Sequence, residues 1–316
     1  LANIFRSPNV IASQDASHAP REITGLHTCG FYPVADLHHP TELILLWASN
    51  PTSTNEEGQI ASLFREQLHK GAKLIVVDPR RTDMAERADL WLQLRPGTVP
   101  ALALGFLNVI IDEGLYDQEF VHTYTHGFEE LAQQVQAYTP DTVSEITWVP
   151  AEDIRRAARM YAQASPAALQ WGNPIEHDVN AFDSTRSLVC LMAMCGNLEV
   201  GGGNINAHEP KIMKLGQFVR ADLIPEKRKE MLSAYHGVIP RLMTVPPAFF
   251  RKAVLEDDPY PVRGYYGMCT NPMVAWADSK LSYQAFQQLE FTAVADLFMT
   301  PTAAMADMVF PVAHQY

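Results

Sequence analysis

Two distant stretches of the chain share one arrangement of apolar runs and polar residues. In each, an apolar run leads to Asn-Pro, at 50–51 and at 271–272, and a second apolar run ends in an aspartate. The two aspartates are Asp78 and Asp296, and each is followed by Thr at the fourth position and by Asp at the eleventh. This self-similarity indicates a duplicated strand–helix–strand unit, and hence two related sites in one chain.

The polar residues of the repeated unit suggest what it binds. In an open parallel sheet, ligands lie beyond the carboxyl ends of the strands, where helix N-termini and free backbone N–H groups meet. Asn50 and Asn271 can contact phosphate or a polar ring there, and the carboxylates of Asp78 and Asp296 can accept hydrogen bonds from ribose hydroxyls. The sequence therefore predicts a nucleotide-like ligand for each half. The alternative is that Asn-Pro and Asp-Pro only start turns.

No G-x-G-x-x-G follows either first apolar run, which disfavours an ordinary NAD or FAD site. Strand-type and helix-type patterns otherwise alternate along the chain. Strands are expected at 74–77, 88–94 and 167–171, and helices at 100–113, 151–162 and 181–195. This order predicts two pseudo-symmetric, Rossmann-like, doubly wound α/β domains with mostly parallel sheets and right-handed crossovers.

The domain boundary is expected after residue 175. Residues 1–175 would form the first α/β dinucleotide-binding domain, with 1–12 as a candidate part of the second. Residues 176–316 would form the second domain. Within it, 211–258 shows mixed charges and several prolines without clear periodicity, so we expect an irregular insertion there.

Composition limits the classes of partner. A net charge of −12 argues against a nucleic-acid partner and against an anionic membrane surface. No apolar run approaches the length of about 18 residues that a membrane helix needs, so no direct membrane span is expected. The chain opens on Leu1 rather than Met, and we expect it to begin and end inside a longer polypeptide.

Cysteine and histidine patterns give little support for a metal site made only of side chains. The four cysteines form no C-x-x-C pair, so neither an iron–sulfur cluster nor a zinc ribbon is expected within this segment, and disulfides are not predicted. His122 and His126 have the i, i+4 spacing of a zinc helix. They lack the H-E-x-x-H pattern and an evident third ligand, which leaves zinc chemistry as a minor alternative.

Several strings resemble one known family, in order and over most of the chain. They are LILLWASNP (43–51), LIVVDPRRT (74–82), LRPGT (94–98), CGNLEVGGGN (195–204) and DLFMTPTAAMADMVFPVA (296–313). They are similar to the molybdenum or tungsten enzymes that carry two molybdopterin guanine dinucleotides, the dimethyl sulfoxide reductase superfamily. The resemblance implies two related α/β domains, each of which holds the nucleotide arm of one cofactor.

The resemblance also implies which residues contact the cofactors. For one dinucleotide the matching positions are Ser49, Asn50, Asp78, Arg80, Gly97 and Thr98; for the other they are Asn271, Asp296 and Thr300; near the pterins they are Gly172 and Glu176. One position departs from the family, because Val99 stands where an acidic residue usually follows the Arg-Pro-Gly-Thr turn. A carboxylate there would bind a guanine edge, so that base contact is in doubt.

The family's metal-ligand position falls at Ser17, within Ser-His-Ala-Pro at 17–20. The resemblance implies that Ser17 ligates the metal through oxygen, which suits a high-valent centre, and that His18 transfers a proton beside it. Asp15 is a rival ligand. Local turn hydrogen bonds are the alternative role for Asp15 and Ser17. The resemblance also implies that His177 and Asp178 line the substrate cavity.

The implied function is oxygen-atom or hydroxyl transfer coupled to electron transfer, in the central portion of a catalytic subunit. A [4Fe-4S] cluster is expected only in an N-terminal region outside this chain, an iron–sulfur subunit is the expected electron-transfer partner, and the substrate is expected to be a small molecule. The segment alone is not expected to turn over.

Its motifs look closer to the branch with acetylene hydratase, thiosulfate and polysulfide reductases and pyrogallol–phloroglucinol transhydroxylase than to formate dehydrogenases. A two-lobed module that binds nucleotides or small molecules without catalysis remains the alternative.

Overall fold

A computed structural model describes residues 1–12, 17–54, 59–207, 220–238 and 244–314 of the chain. The chain divides into two compact units. The large unit is Ala16–Pro210, and the small unit combines Leu1–Asp15 with Lys211–Tyr316. Each unit is a mixture of helices and a parallel sheet, which confirms the predicted α/β class with mostly parallel sheets.

The large unit contains both strands and helices, with five consecutive helices between β4 and β5. Its first part contains α1 (Ala19–Cys29), β1 (Pro33–Ala35), β2 (Leu43–Trp47), α2 (Pro51–Thr54), α3 (Gln59–His69), β3 (Lys73–Val77), α4 (Asp83–Arg87), β4 (Leu90–Leu92) and α5 (Val99–Asp112). Its second part contains α6 (Gln118–Tyr124), α7 (Phe128–Val135), α8 (Pro140–Thr147), α9 (Ala151–Gln163), β5 (Ala167–Trp171), α10 (Ala181–Met194) and β6 (Asn204–Asn206).

Four of these strands form a parallel sheet in the order β4-β3-β2-β5, while β1 and β6 form a separate antiparallel pair. All five residues of β2 are buried, because helices cover both faces of the sheet. Alternate residues contribute to two cores. Leu45 packs in the core with Phe106 of α5, and Leu46 packs in the core with Phe64 of α3. The continuous apolar run 43–47 is the sequence signature of this two-sided burial.

Helix α10 lies in the large unit, whereas the sequence-based boundary after residue 175 assigned it to the second domain. Leu188 and Leu191 of α10 belong to the same core as Phe106, and α10 packs against both α1 and α5. The division differs from the expected one because this apolar helix completes the cover of the four-stranded sheet.

The small unit is built around a three-stranded parallel sheet in the order β7-β8-β9. Its elements are α11 (Lys227–Glu230), α12 (Leu232–Tyr235), α13 (Pro247–Glu256), β7 (Gly264–Met268), α14 (Pro272–Ala275), α15 (Ser279–Gln288), β8 (Phe291–Asp296), α16 (Pro301–Ala304) and β9 (Met308–Pro311). Phe250, Trp276 and Phe286 form the aromatic centre of its core, with ring centroids 5.5 to 6.0 Å apart.

The described part of the predicted insertion 211–258 is not irregular throughout. Helix α13 lies within it and packs on α15. Phe250, Ala253 and Val254 are its buried side chains, at the i, i+3, i+4 spacing of one helix face. The helical periodicity of the apolar residues was present in the sequence, but it was short and lay between prolines, which predict turns rather than a helix.

The two units share one hydrogen-bonding scheme as well as one sequence pattern. The side chain of Asp89 accepts a hydrogen bond from the backbone nitrogen of Leu74 at 2.8 Å. In the small unit, Asp307 accepts from the backbone nitrogen of Thr292 at the same distance. These aspartates stand eleven residues after Asp78 and Asp296, so the repeated spacing reflects a repeated strand connection.

The same correspondence holds at the helix caps and at the strand ends. Thr82 caps α4 by accepting from the nitrogen of Ala85, and Thr300 caps α16 in the same way. The first residue after β2, Ala48, has a φ of 49°, and its counterpart after β7, Cys269, has a φ of 54°. Both units therefore turn left-handedly at the same point. Among the described helices, none is long and apolar enough to cross a bilayer.

Candidate functional site

The carboxyl ends of the large unit's central strands lie side by side. Trp47 is in register with Val77 and with Trp171 across the sheet. The next residues continue the ladder, since the nitrogen of Ala48 donates to Val77 at 2.8 Å and that of Gly172 donates to Trp47 at 3.0 Å. The residues that follow these strands therefore lie along one edge, where parallel sheets bind ligands.

Gly172 is fixed by close packing at this edge. A Cβ atom at position 172 would lie 1.9 Å from the carbonyl oxygen of Ala48 and 3.0 Å from the Cα of Ser49. No side chain fits in that space, so only glycine at position 172 allows the two backbones to approach this closely. The result is a close approach of two main-chain segments between the ends of β2 and β5, where Ala48, Ser49 and Gly172 are half-buried.

Asp78 supplies the carboxylate of this edge. It is buried, and its Oδ1 accepts a hydrogen bond from the backbone nitrogen of Arg80 at 2.8 Å. Burial raises the pKa of Asp78, against the lowering effects of that hydrogen bond and of the nearby Arg80 charge. The side chain of Trp91 donates to the Asp78 carbonyl at 2.9 Å, which fixes the main chain beneath the carboxylate. Asp78 is thus held as a hydrogen-bond acceptor at the strand end, and Arg80 is exposed beside it.

Ser49 and Asn50 follow the left-handed turn at Ala48 and are both partly buried. The Asn50 carbonyl accepts from the nitrogens of Ser53 and Thr54, so it starts the short helix α2. Its side-chain oxygen makes one long contact of 3.4 Å with the hydroxyl of Thr52. The predicted contact residues after β2 therefore lie on the strand-end edge.

The turn between β4 and α5 carries the remaining predicted contacts of this half. Gly97 is exposed with a φ of 81°, and no heavy atom lies within 4 Å of a Cβ placed there. The hydroxyl of Thr98 donates to the carbonyl of Arg95 at 2.7 Å. Val99, the departure from the family pattern, is buried as the first residue of α5, so an apolar residue suits the position.

The Ser17-His18 turn is fixed by a buried carboxylate from a distant part of the chain. Oε1 of Glu176 accepts from the backbone nitrogen of His18 at 2.7 Å, and Oε2 accepts from that of Arg21 at 3.1 Å. The Arg21 side chain also pairs with Glu176, at 2.8 Å, and donates to Asn173 at 2.5 Å. Glu176 therefore caps the N-terminus of α1 and neutralises a buried arginine at the same time.

His18 itself stands in a strained conformation, with a φ of 72°. Its ring meets Tyr32 edge to face at a centroid distance of 5.3 Å, and Tyr32 stacks on Trp171 at 5.9 Å. About half of the His18 side chain is exposed, and its Nε2 lies 3.6 Å from Glu22. Burial raises the pKa of Tyr32. The imidazole is thus supported on one side by aromatic rings and remains accessible on the other.

The loop after Glu176 carries the other two candidate catalytic residues. His177 is exposed, and Asp178 accepts a hydrogen bond from the nitrogen of Asn180 at 2.7 Å. Because Glu176 binds the backbone of His18, the structure brings this loop to the Ser17-His18 turn. Sequence reasoning named Glu176 but missed its partner Arg21. No local pattern marks an ion pair between residues so far apart in the chain.

The small unit presents the second set of predicted contacts. Asp296 accepts from the nitrogen of Phe298 at 3.3 Å and from the hydroxyl of Thr300 at 3.2 Å. The side-chain oxygen of Asn271 accepts from the hydroxyl of Thr302 at 2.7 Å. The Thr300 hydroxyl is engaged in capping α16, and Thr302, which the sequence did not single out, orients Asn271.

The minor zinc alternative finds little geometric support. Helix α6 ends at Tyr124, so His122 is helical and His126 lies beyond the helix, and the i, i+4 spacing does not place them on one helix face. Both line an open cavity of about 660 Å³. Within the described ranges, no group of three His, Cys, Asp or Glu side chains is placed to hold a metal. Asp15, the rival to Ser17, lies outside the described residues.

Comparison with known proteins identifies a matching family model, related sequences and a related solved structure. A family model described as molybdopterin oxidoreductase matches residues 11–316. The acetylene hydratase of Syntrophotalea acetylenica is 34% identical over 92% of this chain and 43% of its own length. Formate dehydrogenase H of Escherichia coli is 34% identical over 86% of this chain and 39% of its own length.

A solved structure of acetylene hydratase from Pelobacter acetylenicus superimposes with a TM-score of 0.84 at 32% identity. The match covers 99% of this chain and 46% of that one. The chain therefore spans less than half the length of these relatives. Identity to acetylene hydratase and to formate dehydrogenase H is equal, so it does not separate the two branches.

Proposed function

The chain belongs to the molybdopterin oxidoreductase family of the dimethyl sulfoxide reductase superfamily, and from that premise we propose that it is the cofactor-binding centre of a catalytic subunit. The family implies a molybdopterin cofactor with molybdenum or tungsten. In this proposal the large and small units each hold the guanine dinucleotide arm of one cofactor. The observation that carries the proposal is the duplicated strand edge, which ends in Asp78 in one unit and in Asp296 in the other.

The residues at the large unit's edge suit a dinucleotide. Gly172 leaves the half-buried main chain without a side chain where a Cβ would collide with Ala48, and this would let a flat, polar ligand approach the backbone closely. Burial outweighs the effects of Arg80 and raises the pKa of Asp78, and ribose hydroxyls would supply further hydrogen bonds to the carboxylate. In the small unit, Asp296 and Asn271 would make the equivalent contacts. Ser49, Asn50, Arg80, Gly97, Thr98 and Thr300 complete the proposed cofactor set.

Ser17 is the proposed metal ligand. Its turn is fixed by the Glu176 hydrogen bonds to His18 and Arg21, and a ligand must be held in place by such bonds if it is to keep its geometry. A serine oxygen suits a hard, high-valent metal. When bound, the metal and pterins supply two-electron redox chemistry and the exchange of an oxygen atom or hydroxyl group. A small molecule is the proposed substrate.

His18 is the proposed proton-transfer group. The half-exposed imidazole adjoins Ser17 in sequence, and Glu22 lies 3.6 Å from its Nε2 to orient it or to receive a proton. Tyr32 restricts the ring on the opposite side. Glu176 acts as a positioning residue rather than as a cofactor contact, because its oxygens are used by His18 and Arg21. His177 and Asp178 are proposed to line the substrate cavity beside this turn.

The proposed electron-transfer centres lie outside this chain. Electrons would leave through a [4Fe-4S] cluster in a region of the catalytic subunit before residue 1, and then through an iron–sulfur subunit. The motif pattern favours a substrate class handled by the acetylene hydratase and thiosulfate reductase branch. Activity is therefore expected of the full-length protein and not of this segment alone.

Metal and nucleotide analysis of the full-length protein tests the cofactor assignment. We expect about one molybdenum or tungsten and about two guanine nucleotides per chain after acid release. Asp78→Asn and Asp296→Asn should each lower the guanine content. A protein that contains neither metal nor pterin would overturn the proposal and would favour a non-catalytic nucleotide-binding module.

Ser17→Ala in the full-length protein tests the ligand assignment. We expect loss of turnover and loss of one oxygen neighbour in the metal's X-ray absorption spectrum. Ser144→Ala, at a serine of similar burial on α8, should change neither. Unchanged coordination in Ser17→Ala would contradict ligation by Ser17 and would direct attention to Asp15.

A further inference from the structure

One tryptophan of the large unit is exposed in a left-handed backbone conformation. Trp148 follows α8, its backbone nitrogen donates to the carbonyl of Ser144 at 3.0 Å, and its φ is 65°. Glycine is the residue that favours this conformation at a helix C-terminus. Trp148 is also 68% exposed. An exposed indole in a strained conformation lowers the stability of the fold, and residues of this kind cluster at ligand sites.

Trp148 lies at the edge of the sheet where the strands end. Helix α9 follows this residue and leads to the start of β5, so it runs antiparallel to the strands and its N-terminus lies at their carboxyl ends. The backbone nitrogen of Arg95, just beyond β4, donates to the carbonyl of Thr147 at 2.8 Å. This bond joins the Trp148 turn to the turn of residues 95–98, where two of the proposed cofactor contacts lie.

The side chain of Arg95 covers part of the indole. Its guanidinium carbon lies 5.2 Å from the centroid of the Trp148 ring, which is within the range of a cation–π contact. The Arg95 carbonyl accepts from the hydroxyl of Thr98 at 2.7 Å, so the main chain of the arginine is fixed at its oxygen as well as at its nitrogen. The guanidinium therefore orients the ring, and the rest of the ring is a flat surface open to solvent.

The place of this surface along the edge suits the base of a nucleotide. The sheet has the order β5-β2-β3-β4, and neighbouring strands lie about 4.8 Å apart. Gly172 follows β5, Asp78 follows β3, and the Arg95 turn follows β4. A ligand that lies along this edge, with its ribose at Asp78 as proposed, has its base at the outer end, beside Arg95 and Trp148.

Val99 deprives the same turn of a side chain for the edge of the base. The residue is buried at the start of α5, and it stands where the family pattern has an acidic residue. A carboxylate there would accept two hydrogen bonds from guanine, and valine accepts none. An aromatic ring needs no such match, because every base has a π-face on which to stack. The turn therefore offers a surface for the face of a base, while position 99 contributes no hydrogen bond to its edge.

We propose that the base of the large unit's dinucleotide stacks on Trp148, that Arg95 positions the indole, and that this stacking replaces edge recognition at position 99. The inference rests on the proposed function, because it requires a nucleotide arm at the edge that includes Asp78. It has a consequence for specificity. The large unit discriminates weakly between purine bases, since stacking depends little on the groups at the edge of the ring.

Oxidative footprinting of the full-length protein tests whether the indole is covered. Protein loaded with cofactor is compared with cofactor-free protein from a host that cannot make molybdopterin, and mass spectrometry measures the oxidation of each side chain. We expect Trp148 to oxidise several-fold more slowly in the loaded protein. The control is Tyr124 on α6, which is 75% exposed and should oxidise equally in both. Equal oxidation of Trp148 in both would overturn the stacking proposal and leave the cofactor assignment intact.

Titration with two nucleotides tests how the base is recognised. Cofactor-free full-length protein is titrated with GDP or with IDP, whose base lacks the exocyclic amino group of guanine. Protection of Trp148 from oxidation reports binding at this site alone. We expect the concentrations for half-protection to agree within about threefold, because stacking does not depend on the amino group. A larger preference for GDP would overturn the proposal, and so would the absence of protection by either nucleotide.

Trp148→Gly separates binding from a structural role of the ring. The midpoint of denaturant unfolding should change little, because relief of the left-handed strain offsets the lost contact with Arg95. The affinity for GDP should fall about tenfold, measured by calorimetry in an Asp296→Asn background that weakens the second proposed site. Trp148→Phe keeps an aromatic ring and should retain most of the affinity. Unchanged affinity in Trp148→Gly would overturn the proposal.

Discussion

Oε1 of Glu176 lies 2.7 Å from the backbone nitrogen of His18 and 2.8 Å from Nε of Arg21. One buried carboxylate oxygen therefore serves the main chain of the Ser17-His18 turn and the side chain of a buried cation. The turn that carries the proposed metal ligand is positioned by a residue in the loop after β5, and its geometry depends on that loop.

Replacement of Glu176 by Gln should destabilise the large unit and loosen this turn. The change leaves the Arg21 guanidinium buried without a counter-charge, and loss of one partner of a buried pair costs about 3 to 5 kcal/mol. Denaturant unfolding measures the loss, and hydrogen exchange at the amides of His18 and Arg21 shows where it falls. Glu113→Gln breaks an exposed pair with Arg159 and should have a much smaller effect. Equal effects of the two variants would argue against the proposed positioning role.

Gly172→Ala should be among the most damaging small substitutions in the chain. Its Cβ would lie 1.9 Å from the Ala48 carbonyl oxygen, and relief requires the ends of β2 and β5 to separate. We expect a loss of about 3 kcal/mol or more in the free energy of unfolding. The matched control is Gly71→Ala, at a φ of 98° with no atom within 4 Å, where only backbone strain of about 1 kcal/mol applies. A smaller loss for position 172 than for position 71 would show that the edge is loosely packed.

The regular elements were predictable where sequence periodicity alone determines them. The strand 167–171 was placed without error, and helix α9 was placed within one residue of its end, because one is a short apolar run and the other has a clear polar and apolar face. Helix α13 was missed, since three buried residues between prolines give too short a signal. The assignment of α10 to the large unit depends on packing against α1 and α5, which no local pattern encodes.

In the candidate site, too, some residues were predictable from the sequence and other contacts were not. The strand-end residues, such as Asp78, were predictable because a change from apolar to polar marks the end of a buried strand. The pairing of Arg21 with Glu176 was not, because it joins residues 155 positions apart. The roles of Thr300 as a helix cap and of Thr302 as the partner of Asn271 also required coordinates, since a threonine hydroxyl has many available partners.

The repeated aspartates after the strand connections give a paired prediction. Asp89→Ala removes the acceptor of the Leu74 amide, and Asp307→Ala removes that of the Thr292 amide. Each change should speed hydrogen exchange at its own amide several-fold and leave the counterpart amide in the other unit unchanged. Each variant is thus the control for the other. Exchange rates that do not change at either amide would show that the duplicated hydrogen bond does not stabilise the strand start.

Asp36 gives the clearest prediction of pH dependence. Burial alone would raise its pKa, but hydrogen bonds from the nitrogen of Gly202, from the His39 ring and from the nitrogen of His38 hold the pKa below its usual value. A carboxyl whose pKa is lowered by folding stabilises the native state above its unfolded pKa of about 3.9, and that contribution is lost as the pH falls through the native pKa. Asp36→Asn should therefore lower stability by about 1 to 3 kcal/mol at neutral pH, because it weakens the hydrogen bonds that the buried carboxylate accepts. The difference from the native protein should shrink as unfolding is measured at progressively lower pH, below about pH 4. A difference that is constant from neutral to acid pH would mean that the charge of Asp36 does not strengthen its hydrogen bonds with Gly202, His38 and His39.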